Sequence, residues 1–208
     1  MQQECSSIAD LMLLMASSIE DVARAIDQES AARFLDKILN AKRIYVAGAG
    51  RSGLVARAFA QRLMHLGFES YVIGETITPA FGPGDVLVAF SGSGETRSVV
   101  DACETARDIG GTICLITSTP DSRIGQMADC IIEIGNNHLT DADIPSDFEI
   151  RQLTGQYRSV SQSFAPLGTL FETAALVFSD AIISALMEVK HCTIEELQEI
   201  GRASCRER

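Results

Sequence analysis

Short apolar runs rich in β-branched residues alternate with helix-like segments along most of this chain. These runs are Arg43–Ala47, Ser70–Ile73, Asp85–Phe90, Thr112–Thr117 and Cys130–Ile134. None of them alternates apolar with polar residues, which is typical of parallel strands that are covered on both faces. Strands of this kind alternating with helices predict an α/β fold, a doubly wound parallel sheet of five strands flanked by helices.

Helical periodicity accounts for most of the remaining chain. The longer predicted helices are Ser7–Ile26, Glu29–Leu39, Leu54–Leu66, Arg97–Ile109 and Pro166–Val189. Shorter helices are predicted to start at Pro120 and to cover Thr193–Ile200. The last long helix is apolar enough to span a bilayer, but Glu172 and Asp180 interrupt it, so we predict a buried helix instead.

The polar stretch Asn136–Ser163 has no clear period. A connection of this length is either functional, as a lid or a subunit contact, or a tolerated insertion. We expect a single domain over residues 1–200, followed by a tail at 201–208 that is either disordered or a remnant of cloning.

Composition limits the classes of partner. The chain has 208 residues, of which 46% are hydrophobic, and its net charge is -11. That charge argues against nucleic acid or an anionic membrane as a partner, whereas an anionic small molecule needs only local donors. The six cysteines form no Cys-x-x-Cys pair, and Cys103, Cys114 and Cys130 lie in apolar segments. This usage indicates reduced thiols and a cytoplasmic protein, and the three scattered histidines suggest no metal site.

The loop Ser91–Thr96 lies between a predicted buried strand and a predicted helix. Its glycines allow backbone amides to approach an anion, the helix start favours negative charge, and three hydroxyl groups can bind phosphate oxygens. It has no lysine and is therefore not a nucleotide P-loop. The alternative is a plain turn in which Ser93 caps the helix. Position after a buried strand favours a ligand site, and the predicted ligand contacts are Ser91, Gly92, Ser93, Gly94, Glu95 and Thr96.

A second glycine turn, Gly48–Gly53, follows the first predicted strand and fits the G-x-G-x-x-G pattern. A dinucleotide site would also need an acidic residue closing the next strand about 20 residues further on. Glu69 precedes that strand, and Glu75 comes late after it. Two loops with glycines and hydroxyls at neighbouring strand ends suit a phosphorylated sugar better. We therefore predict that Gly50 and Ser52 face the same ligand, while the arginine between them supplies charge or lies on the surface.

Together the two loops resemble those of the sugar isomerase (SIS) domain family. Its members carry a Gly-x-Gly-x-Ser turn after the first strand and a Ser-x-Ser-Gly-Glu-Thr loop after a later one. Two more segments, Gln61–Gly67 and Ala165–Glu172, are similar to those of the 6-phospho-3-hexuloisomerases. The resemblance covers roughly residues 5–190 and implies the SIS-type sheet with flavodoxin-like topology. The chain resembles SIS-type transcription regulators and two-domain arabinose-phosphate isomerases less closely, since we see no helix-turn-helix domain or second regulatory module.

The resemblance implies a phosphorylated hexulose substrate, a homotetramer and a place in the ribulose monophosphate pathway. The implied reaction interconverts D-arabino-3-hexulose 6-phosphate and fructose 6-phosphate through an enediol, without metal or other cofactor. It also favours Glu172 as the catalytic base, which the residues alone leave open against a surface or ion-paired glutamate. Burial would raise the pKa of this carboxyl and strengthen it as a base.

His65 is the second catalytic candidate, as a proton shuttle or an aid to opening the furanose ring. A histidine near a helix end also fits a structural role, and the resemblance leaves open whether it serves its own or a neighbouring subunit's site. His138 and His191 receive no role. Three other functions remain open: a non-catalytic sugar-phosphate sensor, which would not need Glu172, an isomerase of another phosphosugar such as a heptulose phosphate, and a nicotinamide dehydrogenase.

Overall fold

The computed structural model describes residues 8–135 and 169–191. Several predictions lie outside these residues: the polar stretch 136–163, the start of the last long helix before residue 169, the short helix at 193–200, and the tail at 201–208. The predicted single domain over residues 1–200 therefore stays a prediction.

Five parallel strands form one sheet in the order β2-β1-β3-β4-β5. The strands are β1 at Ile44–Gly48, β2 at Ser70–Val72, β3 at Val86–Phe90, β4 at Thr112–Thr117 and β5 at Cys130–Glu133. In the register, Ile44 pairs with both Ser70 and Val86. The strand order reverses between β1 and β3, which is where open α/β sheets bind ligands. The predicted α/β fold with flavodoxin-like topology is confirmed.

Helices cover both faces of the sheet. They are α1 at Ile8–Ala25, α2 at Gln28–Leu39, α3 at Gly50–His65, α4 at Arg97–Ile109 and α5 at Thr169–Lys190, with a 3-10 turn at Gly125–Met127. Ile44 and Val46 of β1 enter the core shared with α2, α3 and α5, whereas Tyr45 and Ala47 enter the core shared with α4. Because both faces are buried, the strands are apolar throughout. The cysteines predicted as core residues, Cys103, Cys114 and Cys130, are buried and free.

Helix α3 begins at Gly50, not at Leu54 as predicted. A β-carbon added at Gly53 would lie 2.7 Å from the carbonyl oxygen of Gly48, so the chain can turn back on itself this tightly only with a glycine there. The sharp turn lets the helix start four residues early. Arg51 and Ser52 consequently lie on its first turn rather than in a loop.

The helix predicted to start at Pro120 is reduced to the 3-10 turn Gly125–Met127. The chain here is held by the loop after β3, because the backbone N–H of Ile124 donates to the carbonyl of Gly94 at 3.1 Å. The Ser122 hydroxyl accepts from the N–H of Gly125 at 3.3 Å. These contacts fix a compact connection in place of a longer helix.

Helix α5 is long and apolar enough to cross a membrane by length and composition, with a mean hydropathy of 1.7 over Leu170–Lys190. In the structure it packs against α3, α1 and α2. Ala175 and Leu186 on one face are buried in the core, whereas Val177, Asp180 and Ser184 on the opposite face are exposed. One face of this helix is therefore a core element, as predicted, and the opposite face is exposed and mixes apolar with polar residues.

The amino-terminal edge of the sheet is held by an ion pair. Arg43, just before β1, donates through Nε and Nη2 to the two carboxylate oxygens of Asp85, just before β3, at 3.0 and 2.6 Å. The N–H of Gly82 donates to the same carboxylate at 2.7 Å. Asp85 is fully buried, and its bidentate partner satisfies the charge. The two central strands are thus joined at the edge opposite their carboxyl ends.

Candidate active site

Three segments meet at the carboxyl edge of the sheet. Gly48 at the end of β1 pairs with Phe90 at the end of β3, so the turns that follow these two strands leave the sheet side by side, about 4.8 Å apart. A β-carbon added at Gly92 would lie 3.3 Å from Cδ1 of Phe171. The start of α5 therefore lies against the loop Ser91–Thr96, and Glu172 is the next residue along that helix.

The N-termini of α3 and α4 both point to this edge without side-chain caps. Thr96 is the N-cap of α4 and Ala49 that of α3, and neither forms a capping side-chain hydrogen bond. Ser93 is therefore not the cap that the plain-turn interpretation required; its exposed hydroxyl accepts from the N–H of Glu95 at 3.3 Å. Two helix starts with open amides at neighbouring strand ends are well suited to an anion such as phosphate.

Ser91 and Gly94 shape the loop from inside. Ser91 is buried, and its hydroxyl accepts from the N–H of Gly94 at 3.1 Å. Gly94 has φ +63°, and a β-carbon there would lie only 1.8 Å from the Ser122 hydroxyl oxygen. The carbonyl of Gly92 in turn accepts from the hydroxyls of Thr117 and Ser118, both at 3.1 Å. Of the three hydroxyls predicted to contact the ligand in this loop, those of Ser93 and Thr96 belong to residues more exposed to solvent than Ser91.

The Glu95 carboxylate is directed at the protein backbone. Its Oε1 accepts from the N–H of Arg123 at 2.6 Å, and the Arg123 guanidinium donates to Glu104 at 2.7 Å. Glu95 was predicted as a ligand contact; in the structure its Oε1 contacts the connection between β4 and β5, and its role toward a ligand stays a prediction. Arg123 could not be identified from the sequence as the partner of Glu95, because the two residues are distant in the chain.

Glu172 lies in the first turn of α5 beside the first turn of α3. Its side chain is 15% exposed, and its buried Oε2 accepts no hydrogen bond within the described part of the chain. Burial raises the pKa of the Glu172 carboxyl, although its own backbone N–H, the Arg51 guanidinium and the Ser52 hydroxyl lower it. A desolvated carboxylate next to an anion site can remove a proton from a bound sugar.

The sequence left open whether Arg51 supplies positive charge to the ligand or simply lies on the surface. Its Nε lies 3.7 Å from Oε2 of Glu172, and its side chain is 52% exposed. Gly50, which precedes it, has φ +56° and is exposed at the helix start. Phe171 was not singled out from the sequence, although it directly precedes Glu172. Within residues 8–135 and 169–191, no group of His, Cys, Asp and Glu is placed to hold a metal ion.

His65 lies away from this edge, at the last residue of α3. It follows Ser52 by thirteen residues in one helix, which separates the two by about 20 Å. Its buried Nε2 has no hydrogen-bond partner among the described residues. It lines a hollow of about 270 Å³ between α3 and α5, together with Ala58, Gln61, Arg62, Leu176 and Asp180. Within one chain, the structure does not bring His65 to the site of Glu172.

Comparison with known proteins adds to this geometry. Residues 37–140 match the SIS domain. A Bacillus subtilis protein named 3-hexulose-6-phosphate isomerase is 39% identical over 174 residues, which cover 84% of this chain and 86% of that protein. A Mycobacterium gastri protein of the same name is 36% identical over 190 residues, with 91% and 87% covered.

A solved structure shares the arrangement of strands and helices. It is a hypothetical protein from Methanococcus jannaschii, from whose crystal structure a molecular function of 3-hexulose-6-phosphate isomerase was inferred. It superposes with a TM-score of 0.71 at 29% sequence identity, covering 91% of this chain and 96% of that one.

Proposed function

The chain belongs to the SIS domain family, and on that premise we propose that it is an isomerase interconverting D-arabino-3-hexulose 6-phosphate and fructose 6-phosphate. The proposal rests on one observation above the others. The buried carboxylate of Glu172, whose Oε2 accepts no hydrogen bond from the described residues, stands beside Ser52 and next to two uncapped helix starts. The site thus combines an anion-binding edge with a base, which is what this reaction requires.

In this proposal the phosphate is held by the loop Ser91–Thr96 and the start of α4. The open amides, the Ser93 and Thr96 hydroxyls and the helix dipole all favour a dianion. Gly50 and Ser52 on the other turn contact the sugar. Ser91, Gly92 and Gly94 shape the loop and present its backbone, and Glu95 braces it.

Glu172 acts as the base. Starting from fructose 6-phosphate, it removes the proton on carbon 3, and the electron pair forms the double bond of a 2,3-enediol as the carbonyl oxygen on carbon 2 gains a proton. Reprotonation at carbon 2, with loss of the proton from the oxygen on carbon 3, gives the 3-ketose. Neither step transfers a hydride, so the reaction needs no redox cofactor.

We place His65 in the site of a neighbouring subunit. It lies about 20 Å along α3 from Ser52, its Nε2 is unpartnered within the described residues, and the surface around it contains exposed apolar side chains such as Met64 and Leu176. Helix α1 also exposes several apolar residues: Ile8, Leu11, Met12, Leu13 and Leu14. Such a surface fits contact with further copies of the chain, and we propose a homotetramer of single-domain subunits.

We further propose a cytoplasmic enzyme of the ribulose monophosphate pathway that has no nucleic-acid or membrane partner. The net charge of -11 and the three buried free thiols support this location.

A coupled assay tests the activity. The purified protein is given D-arabino-3-hexulose 6-phosphate, and formation of fructose 6-phosphate is followed through a reporter enzyme. We expect turnover that is unaffected by chelators. Tight binding of fructose 6-phosphate without turnover would identify a sugar-phosphate sensor instead, and faster turnover of a heptulose phosphate would identify another phosphosugar isomerase. Quenching of NADH fluorescence on binding would support a dehydrogenase.

A further inference from the structure

Arg51 and Glu172 form a loose pair. The distance of 3.7 Å between Nε and Oε2 exceeds that of a hydrogen bond, so the two charges attract without a fixed geometry. Arg51 is 52% exposed, whereas Glu172 is 15% exposed. Moving the Arg51 guanidinium away therefore costs little free energy, while the buried Glu172 carboxylate keeps its position.

A bound phosphate would compete for this guanidinium. Arg51 lies on the uncapped first turn of α3, and the phosphate loop leaves the neighbouring strand beside it. Phe171 touches Gly92 of that loop, and Glu172 follows Phe171. Arg51 thus lies beside the carboxylate, on the turn next to the anion site. A phosphate dianion can accept charge-assisted, bidentate hydrogen bonds from arginine. The Glu172 carboxylate, 3.7 Å from Nε of Arg51, accepts none from it.

We propose that Arg51 is shared between Glu172 and the phosphate of the substrate, so that binding a phosphorylated sugar draws the guanidinium off the base. This inference rests on the proposed function. In the free protein, Arg51 opposes the effect of burial and lowers the pKa of the Glu172 carboxyl. With substrate bound, the same carboxylate remains desolvated but loses its positive neighbour, which makes it a stronger base. The phosphate group thereby activates the base that acts on the carbons beside the carbonyl.

The neighbours of Glu172 in the described structure are few. From α3 it faces Arg51, which is charged, and Ser52, which is not. Glu95 in the adjacent loop has its carboxylate engaged by the N–H of Arg123. Arg51 is therefore the positive group whose movement would change the charge state of the base.

The test is a titration of the Glu172 carboxyl by carbon-detected NMR in wild-type protein and in Arg51→Gln, with the resonance assigned by its loss in Glu172→Gln. In the free proteins we expect a higher pKa for Glu172 in Arg51→Gln. With saturating fructose 6-phosphate we expect the two proteins to have the same pKa, because Arg51 has left the carboxylate in the wild type. Arg57→Gln is the matched control: it removes the same charge from an exposed position of α3 where Arg57 pairs with Glu75.

Two results would overturn the inference. One is a difference between wild type and Arg51→Gln that is as large with fructose 6-phosphate as without it, since Arg51 would then stay on the carboxylate. The other is no difference in the free proteins. In either case, wild-type turnover in the coupled assay would leave the proposed function standing, whereas failure to bind fructose 6-phosphate would remove both proposals.

Discussion

The Glu172 carboxylate is held in a setting that favours its neutral form, although catalysis needs it ionised. We expect Glu172→Gln to lose essentially all turnover while binding fructose 6-phosphate nearly as well as wild type, because the amide keeps the shape but cannot accept a proton. The coupled assay measures turnover, and isothermal titration calorimetry measures binding. A variant that keeps most of its activity would show that another group is the base.

The same residue links stability to pH. Because burial raises the pKa of Glu172 in the folded state, ionisation disfavours folding above that pKa. We expect Glu172→Gln to melt at a higher temperature than wild type at neutral pH. The advantage should shrink as the pH falls through the folded pKa and vanish below the unfolded one, where both states are protonated. Thermal melts from pH 4 to pH 8 measure this, with Glu188→Gln at an exposed site of the same helix as the control.

Catalysis should follow the same ionisation. We expect kcat/KM to fall on the acid side at a higher pH than an ordinary glutamate would give, because protonated Glu172 cannot accept a proton. A pH–rate profile of the wild type measures this. An acid limb at or below the usual range of a glutamate would contradict the role assigned to burial.

Ser93 offers the exposed hydroxyl of the phosphate loop. Loss of one hydrogen bond to a charged group costs about 1.5–3 kcal/mol, so we expect Ser93→Ala to weaken binding of fructose 6-phosphate about tenfold or more. Calorimetry checks this against the control Ser184→Ala. The Ser184 hydroxyl donates to the backbone carbonyl of Asp180 within α5, far from the loop. Equal affinity in Ser93→Ala and wild type would exclude this hydroxyl as a ligand contact.

At the scale of elements, the site depends on the contact between the loop after β3 and the connection between β4 and β5. We expect Glu95→Ala to raise KM severalfold with little change in kcat, because the loop loses the Arg123 N–H that holds it. Glu95→Gln should restore most of the affinity, since its amide oxygen can accept the same hydrogen bond. Steady-state kinetics separates the two parameters. If the Gln variant were as impaired as the Ala variant, the charge of Glu95 would matter more than its position.

The elements also show where prediction from the sequence succeeds. Apolar strands alternating with helices were sufficient to predict the parallel sheet, whereas its flavodoxin-like topology was implied by the resemblance to the SIS family. The start of α3 was misplaced because the turn Gly48–Gly53 was interpreted as a loop, whereas the close approach of Gly53 to Gly48 lets the helix begin within it. The contact between Glu95 and Arg123 could not be predicted, because only the fold brings together two residues so distant in the chain. The separation of His65 from Ser52 follows from the length of α3.

For the whole molecule, the separation of His65 from Glu172 predicts shared sites. Glu172→Gln and His65→Ala subunits, each inactive alone, should regain activity when unfolded, mixed and refolded together. Random mixing gives about a quarter of sites with both native groups if each comes from a different subunit. The recovered activity should elute with the oligomer in size-exclusion chromatography. No recovery from mixed oligomers would mean that His65 does not serve a neighbour's site.

The ion pair between Arg43 and Asp85 bears on which parts of the protein can accept mutations. It secures β1 and β3 at the rim of the sheet farthest from the chemistry. Insertions and exchanges in the turns at the other rim therefore leave this anchorage intact. Laboratory evolution toward new phosphosugars can therefore vary the turns at one edge of the sheet, because the ion pair holds the strands together at the opposite edge.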